Sequence, residues 1–448
     1  MPSCITLGRI KANSRIEPAL NISHILKSPA SNPSALGGVY ILLCLLIPVV
    51  AIFNSHAIVP ITAAGALAVL IITARNGELR TIFSIDKWLA VAVAAYVVAI
   101  LVATLADGIT GGAVRSIGKL LGVIVIAAVL IPLQAHLSED DRAWTFRALL
   151  SSVVISLVWM LVDVLLNGEL SVLFFGFDRT RNDLDVRLMY YGYFWYKPVS
   201  AVAAVMALVV GIYLQKTGKT ALAVGVVLLS LLTSHLIDSR TAMAGLVAGM
   251  AAGVGYQLLG RHRLRVILVL LALVFLSPVW MAVGGFSANT ISAHLHKEYS
   301  ASTSIAYRLH IWNFTLERIL EKPVLGWGIG ASKRIGTDAA EPIRDPVYGV
   351  MGEPIPVHPH NAVLQIWLEF GLIGALAAFA FLARGLVIAE RTVSSAGERI
   401  WLFSTIGLFA CFFGVNFSIS SSWWLTVVVV SAAFAATFTA AGKERREI

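Results

Sequence analysis

Apolar runs of roughly 18–22 residues recur along this chain, and a helix needs about 20 residues to cross a hydrocarbon core ~30 Å thick. The runs are unbroken rather than alternating. Lipid satisfies no open backbone N–H or C=O, so they imply helices, not strands. They fall near 35–53, 56–74, 88–106, 116–133, 148–166, 198–215, 220–237, 241–260, 264–283, 362–383, 400–418 and 421–441. A chain with 58% hydrophobic and only 13% charged residues has too little polar surface to be a soluble domain. The fold class is therefore an all-α polytopic membrane protein of about 12 transmembrane helices, embedded in a lipid bilayer.

The formal net charge of +9 raises the question of nucleic acid. Its cations are scattered between spans instead of clustered, which implies topology and no nucleic-acid partner. With twelve spans both termini share one side. Assigning that side to the cytoplasm places 20 of the 34 lysines and arginines in the tails and short inner loops, as the positive-inside rule requires. The organisation follows: a cytoplasmic tail 1–34, spans one to nine over 35–283 with an outer loop 167–197, a long outer loop 284–361, spans ten to twelve over 362–441, and a cytoplasmic tail 442–448. Residues 1–33 are polar and the first apolar run is full-length, so no cleavable signal peptide is expected. Cys4, Cys44 and Cys411 make no disulfide framework and leave the redox compartment unspecified.

Twelve of the remaining cations gather at three outer places: the loop 167–197, Arg240, and the loop 284–361. Topology disfavours them there, so they need another cause. The first loop joins Arg179, Arg181, Arg187 and Lys197 to Tyr190, Tyr191, Tyr193, Phe194, Trp195 and Tyr196. This is either an interfacial aromatic belt or a cradle for an anionic head group or sugar, and the two are compatible. Asp163, near the end of span five, is expected to snorkel or pair in a structural role. Gly245, Gly249 and Gly253 form a close-packing face for another helix. Lys216-Thr-Gly-Lys-Thr220 is a cytoplasmic turn and no phosphate loop, because Tyr213 stands where glycine is required.

The 78-residue outer loop is too long for a connector and too apolar for disorder. Ile305, Leu309, Trp312 and Leu316 set an amphipathic helix, with Thr303 or Ser304 as caps, and Glu321-Lys-Pro323 ends it. Arg308 lies near its apolar stripe. Gly326, Gly328 and Gly330 follow in a turn-rich stretch. In Val357-His-Pro-His-Asn361, Pro359 disfavours helix at His358 and should hold His360 at the membrane surface, where the next helix begins. Asn361, Gln365 and Glu369 then line one face of that helix. Such a polar stripe belongs against protein, and Glu369, ~12 Å below Asn361 at 1.5 Å per residue, is expected to support the site. Two histidines one residue apart also raise a metal. Zinc would need two further ligands, and His294, His296 and Glu353 are available only without a recognised spacing, so no metal is assigned.

His360-Asn361, nine residues, Gly371, two residues and Gly374 resemble the signature of the O-antigen ligase family, part of a superfamily of lipid-linked glycan transferases. Arg308, Trp312, Pro323 and Gly326-Trp-Gly328 resemble the upstream half of the same domain. A further ligase element, Arg-x-x-x-Leu, is matched at Arg240, with Ala244 in place of the leucine and Leu246 nearby. The resemblance implies a GT-C-like helical fold in the bacterial inner membrane, with the long helical loop before the tenth span and the active site facing the periplasm. It implies inverting, metal-independent transfer of a glycan from undecaprenyl diphosphate to the lipid A–core oligosaccharide, with no cofactor. O-antigen polymerase and protein O-oligosaccharyltransferase are alternatives within the superfamily. A transporter of the lipid-linked glycan is the alternative of another class, but its polar groups would gather near the midplane.

The residue types suit that chemistry. Histidine, with a pKa near 6.5, can take the acceptor's hydroxyl proton. Arginine stays charged and meets phosphate oxygens through a planar fork. His360 is the expected base, with Arg240 and Arg308 on the diphosphate. Arg179, Arg181, Arg187, Lys197 and Tyr196 are expected in substrate binding. Asn361 or Glu369 is expected to orient the imidazole, with Gln365, Gly371 and Gly374 in support.

Overall fold

A computed structural model describes residues 31–175, 196–299, 303–339 and 341–440. Among them, ten helices are long and apolar enough to cross a membrane, and a bent pair makes an eleventh if counted as one span. In chain order the helices are α1 Ala35–Phe53, α2 Ile58–Arg75, α3 Lys87–Asp107, α4 Gly111–Leu133, α5 Glu139–Leu165 and the short α6 Glu169–Phe175. There follow α7 Lys197–Lys216, α8 Thr220–Leu236, α9 Arg240–Leu258, α10 Arg263–Phe275 and α11 Ser277–Val283. The outer loop holds α12 Ala288–Tyr299, α13 Thr303–Glu321, α14 Ala331–Thr337 and an antiparallel hairpin, β1 Ile343–Asp345 and β2 Gly349–Gly352. The chain closes with α15 Ala362–Thr392, α16 Ala396–Val415 and α17 Ser422–Ala440.

Each predicted apolar run coincides with a helix, and the chain is a multi-pass membrane protein. The span count differs from twelve at two places. At 17 residues α8 is shorter than the others, and α10 and α11 meet at 54°. Pro278 explains the bend, since it has no N–H to donate and its ring clashes with the preceding turn.

Helix α7 is the hub, buried almost continuously from Val199 to Leu214 and packed against α1, α5, α8, α9, α16 and α17. An apolar helix surrounded by helices needs no polar face. The predicted glycine face of α9 meets α16. A Cβ on Gly249 would lie 2.6 Å from the Ser404 carbonyl, and one on Gly253 2.3 Å from that of Ile400, so the two backbones touch there.

A second core joins the outer loop to the membrane. Ile311 and Ile319 of α13 and Ile329 and Ile355 of the loop pack with Ile100 of α3 and with Leu364, Leu368 and Phe370 of α15. The loop is thus fastened across the top of α3 and α15. Helix α13 spans the predicted segment and ends at Glu321. Leu309 and Leu316 are buried, while Ile305 stays exposed.

Candidate active site

Gly371 breaks α15. Its φ of 59° and ψ of −159° are not helical, and the break leaves carbonyls above it and amides below it without helical partners. The loop after α13 supplies them. The amides of Trp327 and Gly328 donate to the carbonyls of Leu368 and Glu369 at 2.9 and 2.8 Å, and the amides of Leu372 and Ile373 donate to the carbonyls of Pro323 and Val324 at 2.9 and 3.3 Å. The approach is too close for side chains. A Cβ on Gly371 would lie 2.3 Å from the Val324 carbonyl oxygen, and one on Gly326 2.6 Å from the Glu369 carbonyl carbon. Gly374 allows Phe370 to fold over the break, since a Cβ there would lie 2.1 Å from the Phe370 Cβ.

The broken helix fixes the upper segment, residues 362–370, which is buried on nearly all sides. Asn361 caps it, its Oδ1 accepting from the amides of Val363 and Leu364. Just before the cap, His360 is held at φ 56°, a conformation costing a non-glycine residue about 1–2 kcal/mol. Local hydrogen bonds hold it there. The His360 amide donates to Nδ1 of His358 at 3.1 Å, and Trp312 Nε1 donates to the Pro359 carbonyl at 3.0 Å.

The imidazole of His360 points its Nδ1 at the carbonyl of Asn416, 3.3 Å away, at the C-terminal end of α16. A carbonyl only accepts, so Nδ1 carries the proton and Nε2 is left with a free lone pair. The next peptide back holds Arg308, whose Nε donates to the Val415 carbonyl at 3.1 Å and whose Nη1 donates to Ser304. Carbonyls at a helix C-terminus lack helical donors and carry the negative end of its dipole, which suits both groups. Burial first, and then the charge of Arg308, push the pKa of His360 below its usual value, while the Asn416 carbonyl opposes the shift. His358 is pushed down to about 3, by burial, then His360, then Arg308.

Gln365 and Glu369 tie the surrounding loops together. Gln365 Oε1 accepts from Ser418 and from the Ile419 amide, and its Nε2 donates to Ser420 and to Glu369. Glu369 is fully buried and accepts from the Gly330 amide at 3.1 Å and from Ser332 Oγ at 2.6 Å. The polar stripe therefore faces protein. It is the Asn416 carbonyl, and neither Asn361 nor Glu369, that His360 Nδ1 meets.

The expected cations are distributed unevenly. Lys197 and Arg240 begin the neighbouring helices α7 and α9, and Lys197 lies within Coulombic reach of Asp238, Arg240 and Arg308. Arg240 is exposed, and its Nε donates to Asp238 at 3.0 Å. Arg179, Arg181 and Arg187 lie outside the described residues, as do Asp183 and Asp185. Tyr196, expected to bind substrate, is buried instead. Its hydroxyl donates to Asp163, which also accepts from Ser171 and from the amides of Leu170 and Ser171, so both residues fasten the base of the outer loop. Among the described residues no three His, Cys, Asp or Glu side chains gather in a way that could hold a metal ion.

A cavity of about 840 Å³ opens beside His360 and reaches to Glu369, Asn416, Arg334 and the start of α4. Two residues on its wall, Arg115 and Lys119, escaped the sequence reading. They were the only two outer cations left without a place, one helical turn apart at the head of an otherwise apolar span. That spacing was the available signal.

The O-antigen ligase family model matches residues 224–379. A protein of Rickettsia conorii named "Putative polysaccharide ligase" is 34% identical over 139 residues, which are 30% of this chain and 32% of that protein. One of Rickettsia typhi with the same description is 34% identical over 140 residues, 31% of this chain and 34% of its own length. The similarity thus spans about a third of the curated relatives it matches. Arg240, Arg308, the loop that fills the break, His360 and the broken helix through Gly374 all lie inside the family match, and residues 224–379 of this chain are accordingly a domain of the O-antigen ligase family.

Proposed function

We propose that this protein is an O-antigen ligase that transfers a glycan from undecaprenyl diphosphate to a hydroxyl of the lipid A–core oligosaccharide at the periplasmic face of the inner membrane. Nε2 of His360 takes the proton from the acceptor hydroxyl. The oxygen attacks the anomeric carbon as the bond to the diphosphate breaks, and the lipid diphosphate leaves with the electron pair. A single displacement inverts the anomeric centre. Arg308, with Arg240 and Lys197 nearby, balances the charge that grows on the leaving group.

The observation that carries this reading is the tethering of His360 Nδ1 and Arg308 Nε to the adjacent carbonyls of Asn416 and Val415. It sets a neutral base with a free Nε2 beside a fixed cation, the two functions that glycosyl transfer from a diphosphate requires.

A strain lacking the gene, complemented with wild type or with His360→Ala, tests it. Loss of a positioned base lowers such rates by about 10²–10⁴-fold. The variant should therefore abolish the lipopolysaccharide ladder on a gel while lipid-linked glycan accumulates in the periplasmic leaflet. A normal ladder would remove His360 from the chemistry. Lipopolysaccharide bearing single repeats, without longer chains, would assign the protein to polymerisation, and accumulation confined to the cytoplasmic leaflet would assign it to transport.

A further inference from the structure

The cations expected on the diphosphate, Arg240, Arg308 and Lys197, are absent from the wall of the cavity beside His360. Others line it: Arg115, Lys119, Lys333 and Arg334. Arg334 donates to Asp107, which also takes Lys322. No carboxylate of the described residues pairs with Arg115, Lys119 or Lys333. Arg115 and Lys119 stand at i and i+4 in the second and third turns of α4, where like charges repel each other. An anion in the cavity would offset this repulsion.

The rest of the wall suits a sugar. Ser116, Ser420, Ser421 and Trp423 are among its lining residues, types that supply hydrogen-bonding groups and an apolar plate. Its volume falls in the ~300–1,000 Å³ range of sites that enclose small ligands. His360 lies on this wall, so a hydroxyl of a sugar seated here reaches the proposed base.

We infer that this cavity is the acceptor site, and that Arg115, Lys119 and Lys333 select an acceptor glycan bearing an anionic group, phosphate or carboxylate, close to the hydroxyl that is glycosylated. The inference rests on the ligase reading for the word acceptor, while the anionic-glycan site stands on the cavity alone. Arg115 and Lys119 lie outside the family match at 224–379. The match would then hold the reaction chemistry, and the first half of the chain would contribute acceptor choice.

The test uses the full chain in lipid nanodiscs, with labelled lipid A–core oligosaccharide in four forms: native, dephosphorylated, carboxyl-amidated, and both. Each lost charge-assisted hydrogen bond weakens binding by about tenfold or more. Wild type should bind the native form at least about tenfold more tightly than the doubly modified one, and the single modifications identify which anion matters. Arg115→Gln with Lys119→Gln should erase that preference and leave undecaprenyl diphosphate binding within about twofold of wild type. The charge-keeping swap Arg115→Lys with Lys119→Arg should restore it, which separates the effect from misfolding. Equal affinity of wild type for native and doubly modified forms overturns the inference. So does a double glutamine variant that keeps the preference or loses the lipid diphosphate instead. Glycan transfer, measured in the same nanodiscs, judges the ligase reading separately: the expected binding pattern with no transfer sinks that reading and leaves the anionic site standing.

Discussion

At the scale of single residues, the proposed chemistry turns on which proton His360 holds. Burial, and then Arg308, disfavour the imidazolium, so the ring is neutral at pH 7 and the base form is lost only as pH falls through a pKa depressed below 6.5. A plot of kcat/KM for glycan transfer should therefore have its acid limb below pH 6.5. Arg308→Gln removes a charge that depresses this pKa, so the limb should move upward, toward 6.5, while the rate falls by about 10²–10³-fold through the lost charge stabilisation. Arg308→Lys keeps the charge and should leave the limb in place, yet still lose rate, because an ammonium cannot reproduce the guanidinium fork between Val415 and Ser304. A limb that rests in the same place for wild type and Arg308→Gln would show that the titrating group is not His360. The residue types proposed for this chemistry are legible in the sequence. The group that selects the tautomer is not, because it is a backbone carbonyl 56 positions downstream and a carbonyl has no residue-type signature.

At the scale of elements, a helix interrupted at Gly371 and repaired by a distant loop accounts for the glycine spacing that the sequence displays without explaining. Sequence shows the apolar period and the glycines. It cannot show that Pro323 and Val324 supply the acceptors for Leu372 and Ile373, since hydropathy carries no record of which carbonyl meets which amide. Gly371→Ala should be severely destabilising. Its positive φ with ψ near 180° is a conformation almost confined to glycine and costs another residue about 1–3 kcal/mol, and the added Cβ would collide with the Val324 carbonyl. Gly385→Ala, in the same helix with nothing within 4 Å of the new Cβ, is the neutral comparison. Fluorescence-detected size exclusion after stepwise heating should show a lower midpoint for the first and none for the second. The outer loop has its own fastening. His310 Nε2 meets Asp345 at 2.7 Å and Ser292 Oγ donates to the same carboxylate, joining β1 to α13 and α12 in a buried cluster. Burial alone would raise the Asp345 pKa, but the hydrogen bonds from His310, Ser292 and the amides of Tyr348 and Val347 outweigh it and hold it at about 2. His310→Ala should cost about 1–3 kcal/mol by leaving a buried acceptor short of a partner. Faster trypsin cleavage between residues 284 and 361 in membranes is the expected consequence, and unchanged cleavage would deny the cluster its fastening role.

Across the whole molecule, the polar contacts divide into two sets that agree with the side assigned to each loop from charge alone. At one end of the spans Arg384 pairs with Asp86, Arg263 and Arg399 pair with Glu390, and Arg142 and Lys216 donate to the carbonyls that end α17. At the other end Lys322 and Arg334 meet Asp107, and Arg308 meets the end of α16. None of these pairs joins a loop assigned inside to one assigned outside. Charge offers an expectation of sidedness because each short loop contributes independently to it. The composition of the site stayed hidden because it depends on contacts between segments as distant as α4 and the loop after α16. Orientation decides whether the cavity faces lipid-linked substrate at all. In a chain whose Cys4, Cys44 and Cys411 are replaced by alanine, Arg344→Cys on the outer hairpin should react with a membrane-impermeant maleimide once the outer membrane alone is opened. Arg261→Cys, in the turn between α9 and α10, should react only after the inner membrane is lysed. The reverse pattern would put His360 and its cavity in the cytoplasm, where an acceptor awaiting its glycan in the periplasm cannot reach them.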